Sequence, residues 1–215
     1  MKKYLFILAS LVTASACQQK PELPDTLPFK VAKAYGIENF DQVNSIAYTW
    51  NVQRDSVNVV SRDWKWNIKD RTVYYADADT SYTYSLDLPK EQMPEADGGF
   101  INDKYWLMFP FQLVWDKGYT FTVIENTKAP ISGLPTTQLT IVYNDVDGYT
   151  PGDAYDLFLD ENHLIKEWVF RIGNGLEGRP ITWENEQEFK GIKFATEHKN
   201  DAGVKFIWFS DIVVE

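Results

Sequence analysis

The chain has 215 residues, of which 44% are hydrophobic, a length and apolar share that suit a globular chain with a sizeable core. Its 21 basic and 31 acidic residues give a formal charge of −10, which excludes a polyanion-binding stripe. The densest basic residues, Lys190, Lys193 and Lys199, alternate with Glu188, Glu197 and Asp201, so no nucleic-acid partner is expected.

Met1, Lys2 and Lys3 precede an apolar run from Tyr4 to Thr13 and then Ala14-Ser15-Ala16-Cys17, the charged, apolar, small-residue order of a secretory signal. A spanning helix needs about 20 apolar residues, so residues 1–16 are expected to be a signal peptide that is removed. Without Lys2 and Lys3 the charge moves to about −12. Cys17 is the sole cysteine and stands directly after the cut, which predicts lipidation with acyl chains such as palmitate; multiple chains hold a protein durably on a bilayer. The competing reading is an ordinary signal-peptidase cut at Ala14-Ser15-Ala16. Residues 17–28 carry Pro21, Pro24 and Pro28 and read as the lipidated Cys and a semi-extended tether. The expected location is the cell envelope: lipid-anchored, at the outer membrane, facing periplasm or surface.

Residues 29–215 are expected to form one domain. Phe29 to Val43, with Val31, Ala34, Tyr35, Phe40 and Val43, suits one amphipathic helix broken at Gly36, the only good helix candidate of the mature chain. From Ser45 the period becomes two, with Ile46, Tyr48, Trp50 and Val52 on one face, and Trp64, Trp66 and Ile68 repeat it. Further strands are expected at Thr72–Ala76, Tyr82–Leu86, Tyr119–Ile124, Leu139–Tyr143, Tyr155–Leu159, Leu164–Ile172, Ile181–Phe189, Ile192–His198 and Val204–Val214, separated by polar turns. The fold class is therefore mainly β with one or two helices, an antiparallel sheet of about ten strands. One helix cannot cover the apolar face of so many strands, so the sheet must curl into a half-barrel, with the helix and the irregular segment Glu91–Trp115 filling or lidding the concavity.

The helix Val31-Ala-Lys-Ala-Tyr-Gly-Ile-Glu-Asn-Phe followed at once by the strand Ser45–Val52, the hairpin Tyr155-Asp-Leu-Phe-Leu-Asp-Glu-Asn-His-Leu-Ile-Lys-Glu-Trp, and the final Gly191–Val214 pair resemble the Lol-type (LolA/LolB/LppX-like) periplasmic lipoprotein-carrier superfamily. The resemblance implies a half-barrel with a cup for an acyl chain or other apolar ligand, and no catalysis. The soluble carrier of that superfamily is not lipidated, so Cys17 points to an anchored relative.

No catalytic constellation stands out, and neither a cofactor nor a metal is expected. His163 and His198 are far apart in sequence and read as a solvated turn residue and a rim residue, short of the ligand set zinc needs. In Asn144–Gly148, setting Gly148 at the sixth position of a calcium loop leaves Tyr143 and Ala154 where carboxylates belong. Gly173-Asn174-Gly175-Leu176-Glu177-Gly178 has phosphate-loop spacing but leads into a strand. The pairs Glu184/Glu186 and Asp156/Asp160 read as polar-face carboxylates.

The aromatic wealth carries the functional reading. Tyr48, Trp50, Trp64, Trp66, Tyr82, Tyr84, Phe121, Trp168 and Trp208 are the candidate inward residues of a ligand cup, and Tyr105, Trp106, Phe109 and Phe111 are lid candidates. Three readings follow: an apolar-ligand binder for a lipid or lipoprotein acyl chain; a packed structural lipoprotein with an envelope protein partner; and a glycan binder using surface Trp115 or Trp183. A void lined by inward aromatics, a packed core, and exposed coplanar Trp rings distinguish them.

Overall fold

The structure is a computed structural model and describes residues 24–146 and 150–215; the expected signal peptide, Cys17 and most of the tether lie outside the described residues. Helix α1 spans Leu27–Ala34, with Pro28 in its first turn, where a missing N–H costs nothing. Gly36, at φ +89°, ends it, and a 3₁₀ turn continues over Ile37–Gln42. A Cβ on Gly36 would lie 1.9 Å from the Gly191 carbonyl oxygen, so the break expected at Gly36 is also a site of backbone-to-backbone contact.

Strands β1 (Ser45–Gln53), β2 (Val59–Asn67), β3 (Thr72–Ala76) and β4 (Ser81–Ser85) follow as an antiparallel meander. Helix α2 (Ala96–Trp115) comes next, then β5 (Tyr119–Lys128), β6 (Pro135–Tyr143), β7 (Ala154–Leu159), β8 (Ile165–Arg171), β9 (Arg179–Thr182), β10 (Glu184–Phe189), β11 (Ile192–Lys199) and β12 (Lys205–Val214). One sheet has the order β10-β11-β12-β1-β2-β3-β4, the other β5-β6-β7-β8-β9, and every pairing is antiparallel.

The two sheets join along one line. Ile181 bridges Asn200, Glu184 pairs with Glu197 and Phe189 with Ile192, a constant register, so β9 and β10 run as one bent strand along β11. This is the expected strand Ile181–Phe189, interrupted at Trp183, whose N–H instead donates to the Lys166 carbonyl. The result is a curved half-barrel whose free edges are β4 and β5, as the mainly-β expectation requires.

Helix α2 links those two edges through the concavity. It corrects the reading of Glu91–Trp115 as an irregular segment and of Phe29–Val43 as the only helix. Gly98, Gly99 and Pro110 read as loop signals, but α2 is apolar nearly all round: Phe100, Leu107, Met108, Phe109, Phe111 and Leu113 are buried, and enclosure inside the sheet outweighs weak propensity. The helix kinks where Met108 leaves helical geometry, two residues before Pro110. One contiguous core results, in which Tyr48, Trp64 and Val73 from one side and Leu139, Leu157 and Trp168 from the other close on α2.

Candidate functional site

A half-open cavity of about 240 Å³ lies between the first half of α2 and the β7–β8 wall. The helix supplies Gly98, Ile101, Asn102, Tyr105 and Trp106; the sheet supplies Tyr155, Trp168 and Phe170; Thr150 sits on the β6–β7 connection. Period-two alternation carries Tyr155, Trp168 and Phe170 to the concave face, and a helical repeat brings Ile101, Asn102, Tyr105 and Trp106 to meet them.

The walls are braced by rings. Trp106 meets Trp168 edge-on at 4.9 Å, Tyr155 lies 5.3 Å from Trp168 and 5.1 Å from Phe170, and Phe109 backs Tyr155 at 4.7 Å. Tyr105 and Tyr143 both donate to Asp116 Oδ2, at 2.6 and 2.8 Å. Burial raises the Tyr105, Tyr143 and Tyr155 phenols well above their ordinary value, so all three stay neutral. The Trp168 indole N–H is buried without a hydrogen-bond partner among the described residues.

On the other side of α2 sits a buried polar cluster that the sequence reading missed. Asp103, wholly buried, accepts from Arg62 Nη2 at 2.7 Å, Trp64 Nε1 at 2.9 Å and Asn102 Nδ2 at 3.0 Å. The Arg62 guanidinium lies 4.1 Å over the Trp50 ring. Burial pushes the Asp103 carboxyl up to about 6, while the Arg62 charge pulls it the other way.

The named candidates separate. Tyr48, Trp50, Trp64 and Tyr84 point inward and are buried, packing against α2 and one another in the seven-stranded sheet, while Trp66 and Tyr82 are half-buried there. Of that set, Trp168 alone lines the cavity. Phe121 pairs with Ile141 on the concave face, yet is exposed at the β5 edge, beyond the cover of α2. Trp208 is corrected to the convex face: Ile207 and Phe209 beside it point inward, and Lys205 Nζ lies 5.1 Å from its ring. Of the lid candidates, Tyr105 and Trp106 line the cavity, whereas Phe109 and Phe111 are fully buried core and no exposed edge.

Other expectations change as well. His198 is no rim residue: it is wholly buried, its Nδ1 is 3.0 Å from the Thr182 carbonyl, and its ring packs on Trp183 at 4.9 Å. Burial drives its pKa down to about 4. Glu167 and Asp156 lie on the convex face but are buried; Glu167 accepts from the Ile131 and Ser132 N–H groups at 2.6 and 2.8 Å, and Asp156 holds Arg171 in a two-point pair at 2.8 and 3.2 Å. Trp183 is fully buried and Trp115 stacks on Phe111, so they form no glycan platform. Part of the calcium-loop candidate, residues 147–149, lies outside the described residues. The 173–178 glycines form a 3₁₀ turn and loop leading into β9, with no helix N-terminus for a phosphate. Among the described residues no cluster of three His, Cys, Asp or Glu could hold a metal, and no helix is long and apolar enough to cross a membrane.

No family model matches the chain, and no curated protein matches it. The solved structures similar to it include the following. A DUF1329 family protein from Desulfovibrio piger is 11% identical over 89% of this chain and 94% of that one, with a TM-score of 0.47. A domain named for outer membrane lipoprotein sorting, from Vibrio parahaemolyticus, is 13% identical over 86% and 91%, with a TM-score of 0.48. A LolA superfamily protein from Nitrosomonas europaea is 10% identical over 87% and 93%, with a TM-score of 0.45.

Proposed function

We propose that this protein is a non-enzymatic, lipid-anchored envelope protein that shelters a stretch of one apolar chain between α2 and the β7–β8 wall. The carrying observation is the half-open, aromatic-walled cavity of about 240 Å³. At roughly 30 Å³ for a water-sized group, that space takes about eight such groups, part of a single acyl chain and well short of several. The unpartnered Trp168 N–H at its wall suits a ligand oxygen. Cys17 would hold the domain at the membrane from which such a chain comes.

The test is titration of a naturally fluorescent fatty acid, cis-parinaric acid, into the full chain carrying Cys17→Ser. A Cβ on Gly98 meets nothing within 4 Å, so Gly98→Leu fills the cavity without opposing the fold. Saturable binding that Gly98→Leu reduces about tenfold supports the reading. Binding that is absent, or indifferent to Gly98→Leu and Trp168→Ala alike, sinks it. The second reading, a packed scaffold for an envelope protein partner, is favoured by the complete burial of Phe109 and Phe111, and absent binding would promote it.

A further inference from the structure

The two ends of the half-barrel differ in polarity. Antiparallel pairing puts the β1–β2, β3–β4, β6–β7, β8–β9 and β11–β12 connections at one end: Val52 at the close of β1 pairs with Ile207 at the start of β12, Ala76 at the close of β3 pairs with Asp63 on β2, Ala154 at the start of β7 pairs with Arg171 at the close of β8, and Ile181 of β9 bridges Asn200. The cavity sits at this end, since Thr150 and Phe170 help to line it. Four of these connections carry an exposed aliphatic side chain, Val57 from β1–β2, Val146 from β6–β7, Ile172 and Leu176 from β8–β9, and Val204 from β11–β12, with Val59 and Val60 exposed beside Val57 at the start of β2; the β3–β4 turn carries Asp77 and Asp79 instead. Val57, Ile172 and Leu176 are 81%, 78% and 102% exposed.

The opposite end has the turns Lys69-Asp70, Asp160-Glu161-Asn162 and Lys190-Gly191. Among the described residues of that end's turns, Leu134 of the β5–β6 turn is the exposed large aliphatic, with Val213 at the close of β12 and Ile124 on β5 exposed on the strands beside it. Singly scattered apolar residues need no account, but five on four connections of one end, around one cavity, do.

Resting on the apolar-chain reading above, we infer that these hairpin tips seat the cavity end on a bilayer surface, with their aliphatic side chains entering the headgroup boundary. Two observations favour a bilayer over a protein. Among the described residues the tips present Val, Ile and Leu and no exposed aromatic anchor of the kind typical of protein hot spots. Their exposed charges are of both signs with an acidic surplus, Arg54 and Arg179 against Asp55, Asp145, Glu177 and Asp201, which a zwitterionic headgroup layer admits better than an anionic one. A chain leaving a bilayer would then reach the cavity between α2 and β8 without crossing water.

The experiment uses the full chain with Cys17→Ser and an environment-sensitive fluorophore on Val57→Cys, Leu176→Cys or Leu134→Cys, mixed with phosphatidylcholine vesicles. The expected result is a blue shift at positions 57 and 176, quenched by lipid-borne nitroxide, and none at 134. Adding Ile172→Asp to an unlabelled Leu176→Asp variant should weaken vesicle partition about tenfold relative to the Cys17→Ser parent. No shift at either tip, or equal shifts at all three positions, overturns the inference. A parinaric acid titration of the same samples reads the cavity separately, so silent tips with intact binding refute the docking and leave the cavity reading standing.

Discussion

Arg62 on β2 and Asp103 on α2 meet at 2.7 Å with the carboxylate wholly buried, tying the helix that fills the concavity to the wall of the half-barrel. The same carboxylate takes the Trp64 indole N–H, so one side chain of α2 holds two residues of β2. Removing one partner of such a pair leaves the other buried and unpaired. Asp103→Ala is therefore expected to cost about 3–5 kcal/mol, read as a lower midpoint in urea denaturation, whereas Arg62→Met with Asp103→Leu should recover most of it. Equal stability of Asp103→Ala and the parent would show that the pair does not hold α2.

The acid response has two opposed parts. His198 has its folded pKa lowered from 6.5 to about 4, so between those values the unfolded chain binds more protons and acidification destabilises the fold. Asp103 has its folded pKa raised from 3.8 to about 6, so in that window the folded chain binds more protons and acidification stabilises it. Urea midpoints measured from pH 7 to 4 should fall more steeply in Asp103→Asn than in the parent, and less steeply or even rise in His198→Phe. Parallel profiles for all three would contradict both assignments.

Glu167 clamps the β5–β6 turn by accepting the Ile131 and Ser132 N–H groups, the kind of charge-assisted bonds that contribute about 1.5–3 kcal/mol. Glu167→Ala should speed amide hydrogen exchange at Ile131 and Ser132 more than at β1, whose ladder lies in the other sheet. Uniform acceleration would mean a global loss instead.

Gly36→Ala introduces a Cβ at φ +89° and at 1.9 Å from the Gly191 oxygen, so both strain and collision oppose it. A loss exceeding 1 kcal/mol, on the order of 1–3 from the backbone strain alone, is expected by thermal or urea unfolding. Gly133→Ala, also at positive φ but with nothing within 4 Å, should cost less, and a reversal of that order would count against the Gly36–Gly191 contact.

Alternation of Ile46, Tyr48, Trp50 and Val52 announced β1 because each inward residue is large and each outward one small or polar. The same logic located most strands and required the sheet to curl. It failed where both faces are covered. All six residues of β7 are buried, so Asp156 read as a polar-face carboxylate although Arg171 encloses it. It also failed for α2, whose Gly-Gly pair and Pro110 are loop signals in isolation.

From the residues alone come the leader-like N-terminus ending at Cys17, the succession of antiparallel strands and the surplus of inward aromatics, all of which depend on local order and composition. Only the tertiary structure decided that α2 fills the half-barrel, that Trp168 rather than Trp208 faces a cavity, and that Asp103, His198 and Glu167 are buried. The reason is physical: burial and partner distance arise from elements far apart in the chain, as with Arg62 and Asp103, and no local period encodes which segment will cover which face.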